Sequence, residues 1–422
     1  MKKKLLCLLL SSTLLMGMVG CGDATGSAKT TGTDDEESLY AEDAKLKLWG
    51  SQDDQEYLQD AIDSFKEDFP EAANWDIELA VVSSADAKDQ VLKDTEEAAD
   101  VFEFASDQLY SLVTAGTLYK ITSDREDVES RTTKTAVDAA ILDGNLYGYP
   151  STSNSYIMYY DKSKYTEDDV KNLDTILSKD LGSDVNFAMD LDNGWYMASF
   201  FFGNGCTLFG TDGQDASECS FNNENGLEVG NYILDLTHNK KVGNYDDTLL
   251  LSGFADRTLG AAITGTWNAV AIKEYLGDDF GVTTFPTVNL AEGKEVQPSP
   301  IVNFNIYGVN AQTKYPLEAM ALANYITSEK IQKLRFEQRS STPVCNSLIE
   351  DKELLGSNPA VSALAEQVAL ASTVQTSNPQ ISNFWSPMEA FGQDCIAGNI
   401  THDNMQQALD TLVESILAKL GE

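Results

Sequence analysis

The sequence predicts an α/β protein built from two lobes, and three observations support this fold class. Removal of an N-terminal export signal from the 422 residues leaves about 400, more than one hydrophobic core usually serves. Strand, helix and strand follow one another over residues 45–81, which is the crossover unit of a parallel sheet. The uncharged polar stretch Ser151–Ser155 then separates this region from a second set of strands and helices, as a connection between lobes does.

The N-terminal residues have the features of a bacterial lipoprotein signal. Lys2–Lys4 form a basic start, Leu5–Leu15 an apolar run too short to span a bilayer, and Met18–Gly20 a small-residue cleavage site. We therefore expect a signal peptide over residues 1–20, a lipidated Cys21 and a flexible polar tether over residues 21–44. Such a protein is anchored to the outer face of the cytoplasmic membrane.

Hydrophobic periodicity assigns the elements of the first lobe in order. Lys45–Trp49 alternates as a strand, Gln55–Phe69 places apolar residues on one helical face, and residues 77–81 alternate again. Val101–Phe104 predicts a buried strand, and Gly116 marks the end of the helix that follows it.

A hairpin turn signal at Asp143–Gly144 comes before the connection between the lobes. Beyond it we expect a strand over Tyr156–Tyr160, a helix around Asp168–Lys179 and a strand over Phe304–Val309. The C-terminal helix has the clearest pattern, with an apolar face formed by Met405, Leu409, Leu412, Ile416 and Leu420.

The charge balance argues against several partners. The chain carries 67 acidic and 29 basic residues, a formal net charge of −38. Because so acidic a surface repels nucleic acid and anionic headgroups, we expect no nucleic-acid partner and membrane contact through the lipid alone. A soluble exported surface explains this charge, and attraction of a cationic ligand stays open as the alternative.

Four cysteines belong to the folded part. Cys206 and Cys219 flank a turn-rich stretch, so they could pair across a hairpin in an oxidising compartment. Cys345 and Cys395 are expected to be small buried residues, although a disulfide between them stays open.

The sequence offers little material for reaction chemistry. It has two histidines, His238 and His402, both in polar surroundings, and no nucleophile elbow, phosphate loop or metal-ligand spacing. We therefore expect no enzyme, no cofactor and no metal. Two carboxylates from distant segments could still form a glycoside hydrolase, which stays open.

Aromatic residues beside glycine, asparagine or aspartate at strand ends indicate a ligand instead. A flat ring covers the apolar face of a sugar, while carboxylates and amides hydrogen-bond its hydroxyls. Ordinary core packing is the alternative for each. The five residues in this setting are Trp49, Phe104, Trp195, Trp267 and Trp385.

Eight segments, in one order along the chain, carry a resemblance to a known family: Lys45–Trp49, Ala99–Asp107, Ala115–Leu118, Leu146–Pro150, Tyr159–Lys162, Ile263–Trp267, Phe280–Thr287 and Asn378–Trp385. From about Lys45 to its end, the chain resembles the extracellular solute-binding proteins of ABC importers, and the maltose/maltodextrin-binding family most. The resemblance implies two discontinuous α/β lobes joined by a hinge, which close over ligand in the cleft between them. The lobes are then residues 45–152 plus 306–342 and residues 156–302 plus 345–422.

The resemblance also implies which residues line the cleft. On the first lobe, Trp49, Asp53 and Asp107 would contact hydroxyls or shape the wall, and Phe104 stands where relatives have a stacking tryptophan. On the second lobe, Asp192 would lie near an aromatic floor under successive sugar rings, formed by Trp195, Trp267 and Trp385.

Four positions depart from the family pattern. Gln108 stands where relatives carry arginine, Asn154 where they carry glutamate at the lobe crossover, Asp54 where they carry lysine, and Glu389 where they carry arginine. Each exchange alters the hydrogen bonds offered to hydroxyls, so the preferred sugar and chain length stay open. Gln108 and Asn154 remain candidate ligand contacts.

The sequence therefore predicts a monomeric, lipid-anchored binding protein for maltodextrin-type oligosaccharides, which are α-1,4-glucans. It would deliver them intact to the permease of an ABC importer, with no cofactor. A secreted glycoside hydrolase is one alternative, and a lipoprotein that binds cationic peptides is the other.

Overall fold

The computed structural model describes residues 39–290 and 293–420. The predicted signal peptide, Cys21 and the tether up to residue 38 lie outside the described residues. None of the helices in the described ranges is long and apolar enough to cross a membrane.

The strands of the described residues are distributed along the whole chain, and several have only two residues. They are β1 (Lys45–Gly50), β2 (Asp76–Val81), β3 (Val101–Ala105), β4 (Ile141–Leu142), β5 (Asn145–Leu146), β6 (Tyr149–Asn154), β7 (Tyr156–Asp161), β8 (Val185–Met189), β9 (Val242–Asn244), β10 (Leu259–Gly265), β11 (Phe280–Thr283), β12 (Val288–Asn289), β13 (Glu295–Val296), β14 (Ile301–Val309), β15 (Thr342–Pro343) and β16 (Thr373–Val374).

The α-helices alternate with these strands and dominate the C-terminal part. They are α1 (Gln55–Asp68), α2 (Ala87–Lys93), α3 (Leu109–Thr114), α4 (Arg125–Arg131), α5 (Lys134–Ala139), α6 (Leu173–Ser178), α7 (Gly194–Gly203), α8 (Glu224–Thr237), α9 (Asp247–Ala255), α10 (Ala269–Leu276), α11 (Pro316–Ile326), α12 (Glu329–Arg339), α13 (Asn346–Glu350), α14 (Lys352–Gly356), α15 (Pro359–Leu370), α16 (Trp385–Ala397) and α17 (Met405–Ile416).

Two mixed sheets organise the longer strands. The first has the order β15-β6-β14-β3-β1-β2, with β16 added beside β14, and the second has the order β11-β7-β10-β8-β9. In the first sheet β1 runs parallel to β2 and β3, whereas β14 runs antiparallel to β3 and β6. The predicted strand–helix–strand unit is confirmed, with α1 between β1 and β2.

Each sheet packs against its own helices. The core of the first lobe joins β1 and β3 to α1 and α11. Successive residues of β7 point to opposite faces of the second sheet. Tyr156 and Met158 pack toward α7, α8, α16 and α17, whereas Ile157 and Tyr159 pack toward α9, α10 and α15. The result is the two-lobed α/β architecture that the sequence predicted.

Adjacent strands carry the chain between the lobes. β6 belongs to the first sheet and β7 to the second, and Ser155 alone separates them. Ser155 Oγ donates to the carbonyl oxygen of Ile301 at 2.8 Å, which links this connection to the start of β14. The stretch Ser151–Ser155 is therefore the connection that the sequence predicted, and β14 carries the chain back.

Two predicted helices end differently in the structure. The helix expected around Asp168–Lys179 is interrupted at Asn172, whose side chain accepts from Asp174 N at 3.0 Å and caps α6. The C-terminal helix ends at Ile416, whose carbonyl oxygen accepts from Gln380 Nε2 at 3.0 Å. Leu420 therefore lies beyond the helix and is 40% exposed, which corrects its place on the apolar face.

The cysteines of the folded part are free thiols. The hairpin expected near Cys206 is present: Leu208 and Cys219 form an antiparallel bridge. The Cys206–Cys219 disulfide is absent, since Cys206 Sγ faces Asn223 Oδ1 at 3.8 Å. Cys345 and Cys395 are also unpaired, and both are buried as expected.

Candidate ligand-binding cleft

A cavity of about 760 Å³ lies between the two lobes. The first lobe contributes polar residues that follow β1 and β3, and the second contributes residues that follow β8 and β10 or begin α9 and α16. Segments distant in sequence converge here because the ends of neighbouring strands meet at one edge of a sheet. The wall of the cavity includes Asp53, Asp54, Glu103, Asp107, Gln108, Asn154, Asp190, Trp195, Asp247, Trp267, Asn303, Arg335, Arg339, Gln375 and Trp385.

Three half-buried tryptophans of the second lobe face this cavity. The rings of Trp195 and Trp267 lie 5.8 Å apart, centroid to centroid, with their planes at 31°. Asn193 Oδ1 accepts from Trp195 N at 3.0 Å, and Trp267 Nε1 donates to Asp247 Oδ2 at 2.8 Å. Trp385 is the first residue of α16. The three indoles therefore offer flat apolar surface from fixed positions.

The opposite wall contains four charged side chains of the first lobe. Arg335 and Arg339 lie one turn apart on α12, and both donate to Asp54, from Nη2 at 2.7 Å and from Nε at 3.0 Å. Arg335 also pairs with Glu103. Burial by itself would raise the pKa of Asp54, but the two guanidinium groups outweigh it and hold that pKa below its ordinary value. Asp54 and Glu103 are thus engaged by arginine.

Arg339 also connects the two lobes. Its Nη2 donates to the carbonyl oxygen of Trp267 at 3.4 Å and lies 3.7 Å from Asp53 Oδ2. The Asp53 side chain is 63% exposed, so it keeps acceptor capacity toward the cavity.

Two carboxyl groups of the cavity have raised pKa values. Burial raises the pKa of Asp107 above its ordinary value, against the opposing effect of the Gln375 side chain. Burial and then a hydrogen bond with Asp192 raise the pKa of Asp190 to about 7. A carboxyl group that titrates near neutrality can donate as well as accept a hydrogen bond. Within the described part of the chain, no cluster of His, Cys, Asp and Glu side chains suits a metal ion.

The comparison with protein families identifies the group to which this fold and cleft belong. The sequence model described as bacterial extracellular solute-binding protein matches residues 60–363.

The chain belongs to the bacterial extracellular solute-binding proteins.

Relatives of this solute-binding protein span nearly its whole length. It is 26% identical to the galactooligosaccharide-binding protein of Bacillus subtilis (strain 168), over 98% of this chain and 97% of the relative. It is 24% identical to the maltooligosaccharide ABC transporter solute-binding lipoprotein of Streptococcus pneumoniae (strain ATCC BAA-255 / R6), over 96% and 95%.

Solved structures agree with this assignment. A protein determined with acarbose superimposes with a TM-score of 0.82 at 34% identity, covering 89% of this chain and 98% of that one. The maltodextrin binding protein MalE1 from L. casei BL23, without ligand, gives 0.74 at 27% identity, covering 89% and 100%. The predicted two-lobed fold with an interlobe cleft is confirmed.

The cleft of the solute-binding protein brings together most of the residues selected from sequence. Seven of the ten line the cavity, and they come from both lobes: Asp53, Asp107, Gln108, Asn154, Trp195, Trp267 and Trp385.

Trp49 and Phe104 lie in the core of the first lobe, which corrects their assignment to the cleft wall. Phe104 is fully buried, and the ring of Trp49 packs 6.2 Å from that of Phe102. Side chains alternate along β3, so the face opposite Phe102 and Phe104 reaches the cavity through Glu103 and Ala105. The predicted tryptophans of the second lobe line the cavity, whereas on β3 the cavity residue is Glu103, adjacent to the predicted Phe104.

Asp192 lies outside the main cavity but lines a pocket with Trp385, near the aromatic floor as expected, and the Gln108 amide is engaged by the backbone. Asp192 lines a neighbouring pocket of about 510 Å³, where its Oδ1 accepts from Asn244 Nδ2 at 2.8 Å. Gln108 lines the cavity, but its amide is engaged by backbone. Its Nε2 donates to Ser84 O at 2.9 Å and Ala85 O at 2.8 Å, and its Oε1 accepts from Lys88 N at 3.0 Å. Gln108 therefore shapes the wall by holding the loop before α2.

Several residues of the cavity were missed by sequence reasoning. Glu103 had a usable signal, because a charged residue inside an apolar strand requires a buried partner. Arg335 and Arg339 had a weaker one, since their spacing places both on one face of a helix. Asp247 is the first residue of α9 and Gln375 follows β16, and only the tertiary fold brings them to the cleft.

Proposed function

We propose that this solute-binding protein captures a neutral oligosaccharide of the maltodextrin type in the cleft and delivers it intact to an ABC importer. One observation carries the proposal: Trp195, Trp267 and Trp385 face one cavity together with the carboxylates of Asp53 and Asp107. Aromatic faces suit the C–H side of sugar rings, and carboxylates accept from their hydroxyls. The cavity volume lies in the usual range of ligand sites.

Closure of the lobes is the step that links binding to delivery. A sugar that contacts the tryptophans of one lobe and the carboxylates of the other gains most contacts when the lobes are shut, so it shifts the population toward that state. The permease then distinguishes loaded from empty protein by shape. We divide the lobes into residues 45–152 plus 306–342 and residues 156–302 plus 345–422, which the separate cores support.

Attachment to the membrane completes the proposal. The basic start, apolar run and cleavage site before Cys21 support lipidation, and one relative is named a lipoprotein. Fractionation of cells that produce the full chain tests this point. We expect wild-type protein in the membrane fraction and Cys21→Ser in the soluble fraction or medium. Equal membrane association of both would contradict lipid anchoring.

Calorimetric titration with sugars tests the ligand. We expect maltotriose and longer α-1,4-glucans to bind a monomeric protein at one site, with cellotriose as the control for linkage. The galactooligosaccharide-binding relative makes β-1,4-galactotriose the second ligand to titrate. Tighter binding of galactotriose would replace the maltodextrin assignment, and the absence of binding to any oligosaccharide would reject sugar capture. Chromatography of the same mixtures should show intact sugar, whereas shorter products would identify a hydrolase.

A further inference from the structure

The hinge side of the cleft presents a row of three amide side chains. Asn154 at the end of β6 is the register partner of Asn303 on β14. On the other side of β14, Val302 pairs with Val374 of β16, and Gln375 N donates to Val302 O at 2.8 Å. The parallel register thus brings Gln375 beside Asn303.

All three residues of this amide row, Asn154, Asn303 and Gln375, line the cavity. Directly paired residues of neighbouring strands project to the same face of a sheet, so the three amides share the face toward the ligand space. The row lies where the chain passes between the lobes, at the β6–β7 connection and at the start of β14.

Asn303 and Gln375 carry polar side-chain atoms without a partner in the described part of the chain, whereas Asn154 Oδ1 accepts from Thr152 Oγ1 at 3.4 Å. Asn303 Oδ1 and both Oε1 and Nε2 of Gln375 are shielded from water and make no hydrogen bond within the described part of the chain. Gln375 and Trp385 approach the Asp107 carboxylate closely enough to lower its pKa, yet neither donor reaches it in hydrogen-bonding geometry. Unpaired buried polar atoms are costly, so a group of this kind on a cavity wall is satisfied by ordered water or by a ligand that enters the cavity.

The chemistry of the unpaired atoms specifies the ligand group. Gln375 presents one acceptor and one donor, and a hydroxyl satisfies both because it donates and accepts at the same oxygen. A carboxylate accepts only from the amide NH₂ group, and an ammonium donates only to the amide oxygen, so neither satisfies both groups. No hydrogen bond within the described residues holds the unpaired atoms of Asn303 and Gln375, so these two amides can turn toward a ring hydroxyl that enters the cavity.

We propose that Asn303 and Gln375, with Asn154, are specificity-determining residues that hydrogen-bond ligand hydroxyls at the hinge. This inference rests on the proposed function, since it assigns a polar edge to the sugar that the tryptophans stack. A ligand held by this row contacts β6 and β14, the strands that adjoin the connections between the lobes. Occupancy of the row therefore couples directly to closure, in addition to the contacts made across the cleft.

Titration of substituted proteins with maltotriose and its monodeoxy derivatives tests the amide row. Gln375→Met keeps the side-chain length and removes both polar atoms, and Gln59→Met is the matched control, because Gln59 is an exposed amide on α1 that pairs with Asp63. We expect Gln375→Met to weaken maltotriose binding about tenfold or more, as loss of a ligand hydrogen bond does, and Gln59→Met to have no effect. Asn303→Ala is the second variant if Gln375→Met does not fold.

The deoxy sugars separate direct contact from a structural role. For the wild type, one monodeoxy derivative should bind more weakly than maltotriose. For Gln375→Met, the same derivative and maltotriose should bind with equal affinity, because the hydroxyl and the amide form one interaction. Equal affinity of wild type and Gln375→Met for maltotriose would overturn the inference while leaving sugar capture intact. A uniform loss with every derivative would also overturn it, since it indicates a structural effect. If the wild type binds no oligosaccharide, the proposed function fails first.

Discussion

Arg335 forms a bidentate ion pair with Glu103 on the wall of the cleft. Its Nη1 lies 2.5 Å from Oε1 and its Nη2 lies 3.1 Å from Oε2, and the two side chains are only 6% and 3% exposed. The Tyr57 ring lies 5.3 Å from the guanidinium carbon of Arg335. The Ser151 hydroxyl donates to Glu103 Oε1 at 2.7 Å and lies 3.1 Å from the carbonyl oxygen of Asn305 on β14. The pair therefore fixes the cavity wall to the strands that connect the lobes.

Replacement of Arg335 should destabilise the protein strongly. Arg335→Met removes the cation between Asp54 and Glu103 and leaves two buried carboxylates, so we expect a loss of about 3–5 kcal/mol in the free energy of unfolding. Urea denaturation measures this loss. The control Lys134→Met removes an ion pair whose lysine is 84% exposed, and it should change stability by no more than about 0.5 kcal/mol. Similar small losses in both variants would show that the buried pair is not needed for the fold.

The ion pair of Arg335 and Glu103 could not be predicted from the sequence, although the secondary structure around it could. The elements β1, α1 and β2 follow from periodicity, because periodicity depends on neighbours within one turn or one pleat. Arg335 and Glu103 are 232 residues apart, and no local pattern records which carboxylate an arginine meets. The tryptophans of the second lobe were located because each stands beside turn-forming residues at the end of an element.

The face of β3 that meets the cleft was predicted wrongly from the sequence. Phe104 and Glu103 are adjacent, and a strand covered on both faces gives no alternation of apolar and polar residues that would show which one faces the cleft. The resemblance to the maltodextrin-binding family favoured the aromatic residue. In the structure the charged residue reaches the cavity, and its cost is offset by Arg335.

Truncation of Phe104 should affect folding and leave ligand binding unchanged. Phe104 is fully buried in the core of the first lobe, so Phe104→Ala should cost about 3–5 kcal/mol in the free energy of unfolding. Leu370→Ala removes a side chain that is 57% exposed, and it should cost no more than about 0.5 kcal/mol. Urea denaturation and calorimetric titration of the folded variant check both parts. A large loss of affinity with unchanged stability would return Phe104 to the binding site.

Removal of the Trp267 indole should weaken ligand binding. Trp267 faces the cavity and is fixed by Asp247, so Trp267→Ala should lower the affinity for maltotriose by ~2 kcal/mol or more, roughly thirtyfold. Calorimetry measures the affinity, and a change of tryptophan fluorescence on adding sugar gives a second readout. Trp49→Phe is the control, because Trp49 lies in the core and should not alter the affinity. If Trp267→Ala binds as wild type does, this indole is not part of the site.

The stability of the protein should depend on pH through Asp190. Burial and Asp192 raise the pKa of Asp190 to about 7, whereas an aspartate in an unfolded chain titrates near about 4. Between these values the folded protein binds the proton more tightly than the unfolded chain does. This contribution to stability is therefore present at low pH and is lost as the pH rises toward 7.

Asp190→Asn removes this titration and should remain neutral at every pH. We expect the free energy of unfolding of the wild type to fall between pH 5 and pH 8 by more than that of Asp190→Asn. Urea denaturation of both proteins at the two pH values measures this difference. Asp256→Asn is the control, because Asp256 is exposed and its substitution should leave the difference between the two pH values unchanged. A wild-type protein and an Asp190→Asn variant with parallel pH dependence would show that Asp190 is ionised across this range. The Asp192 carboxyl group would then not disfavour ionisation of Asp190.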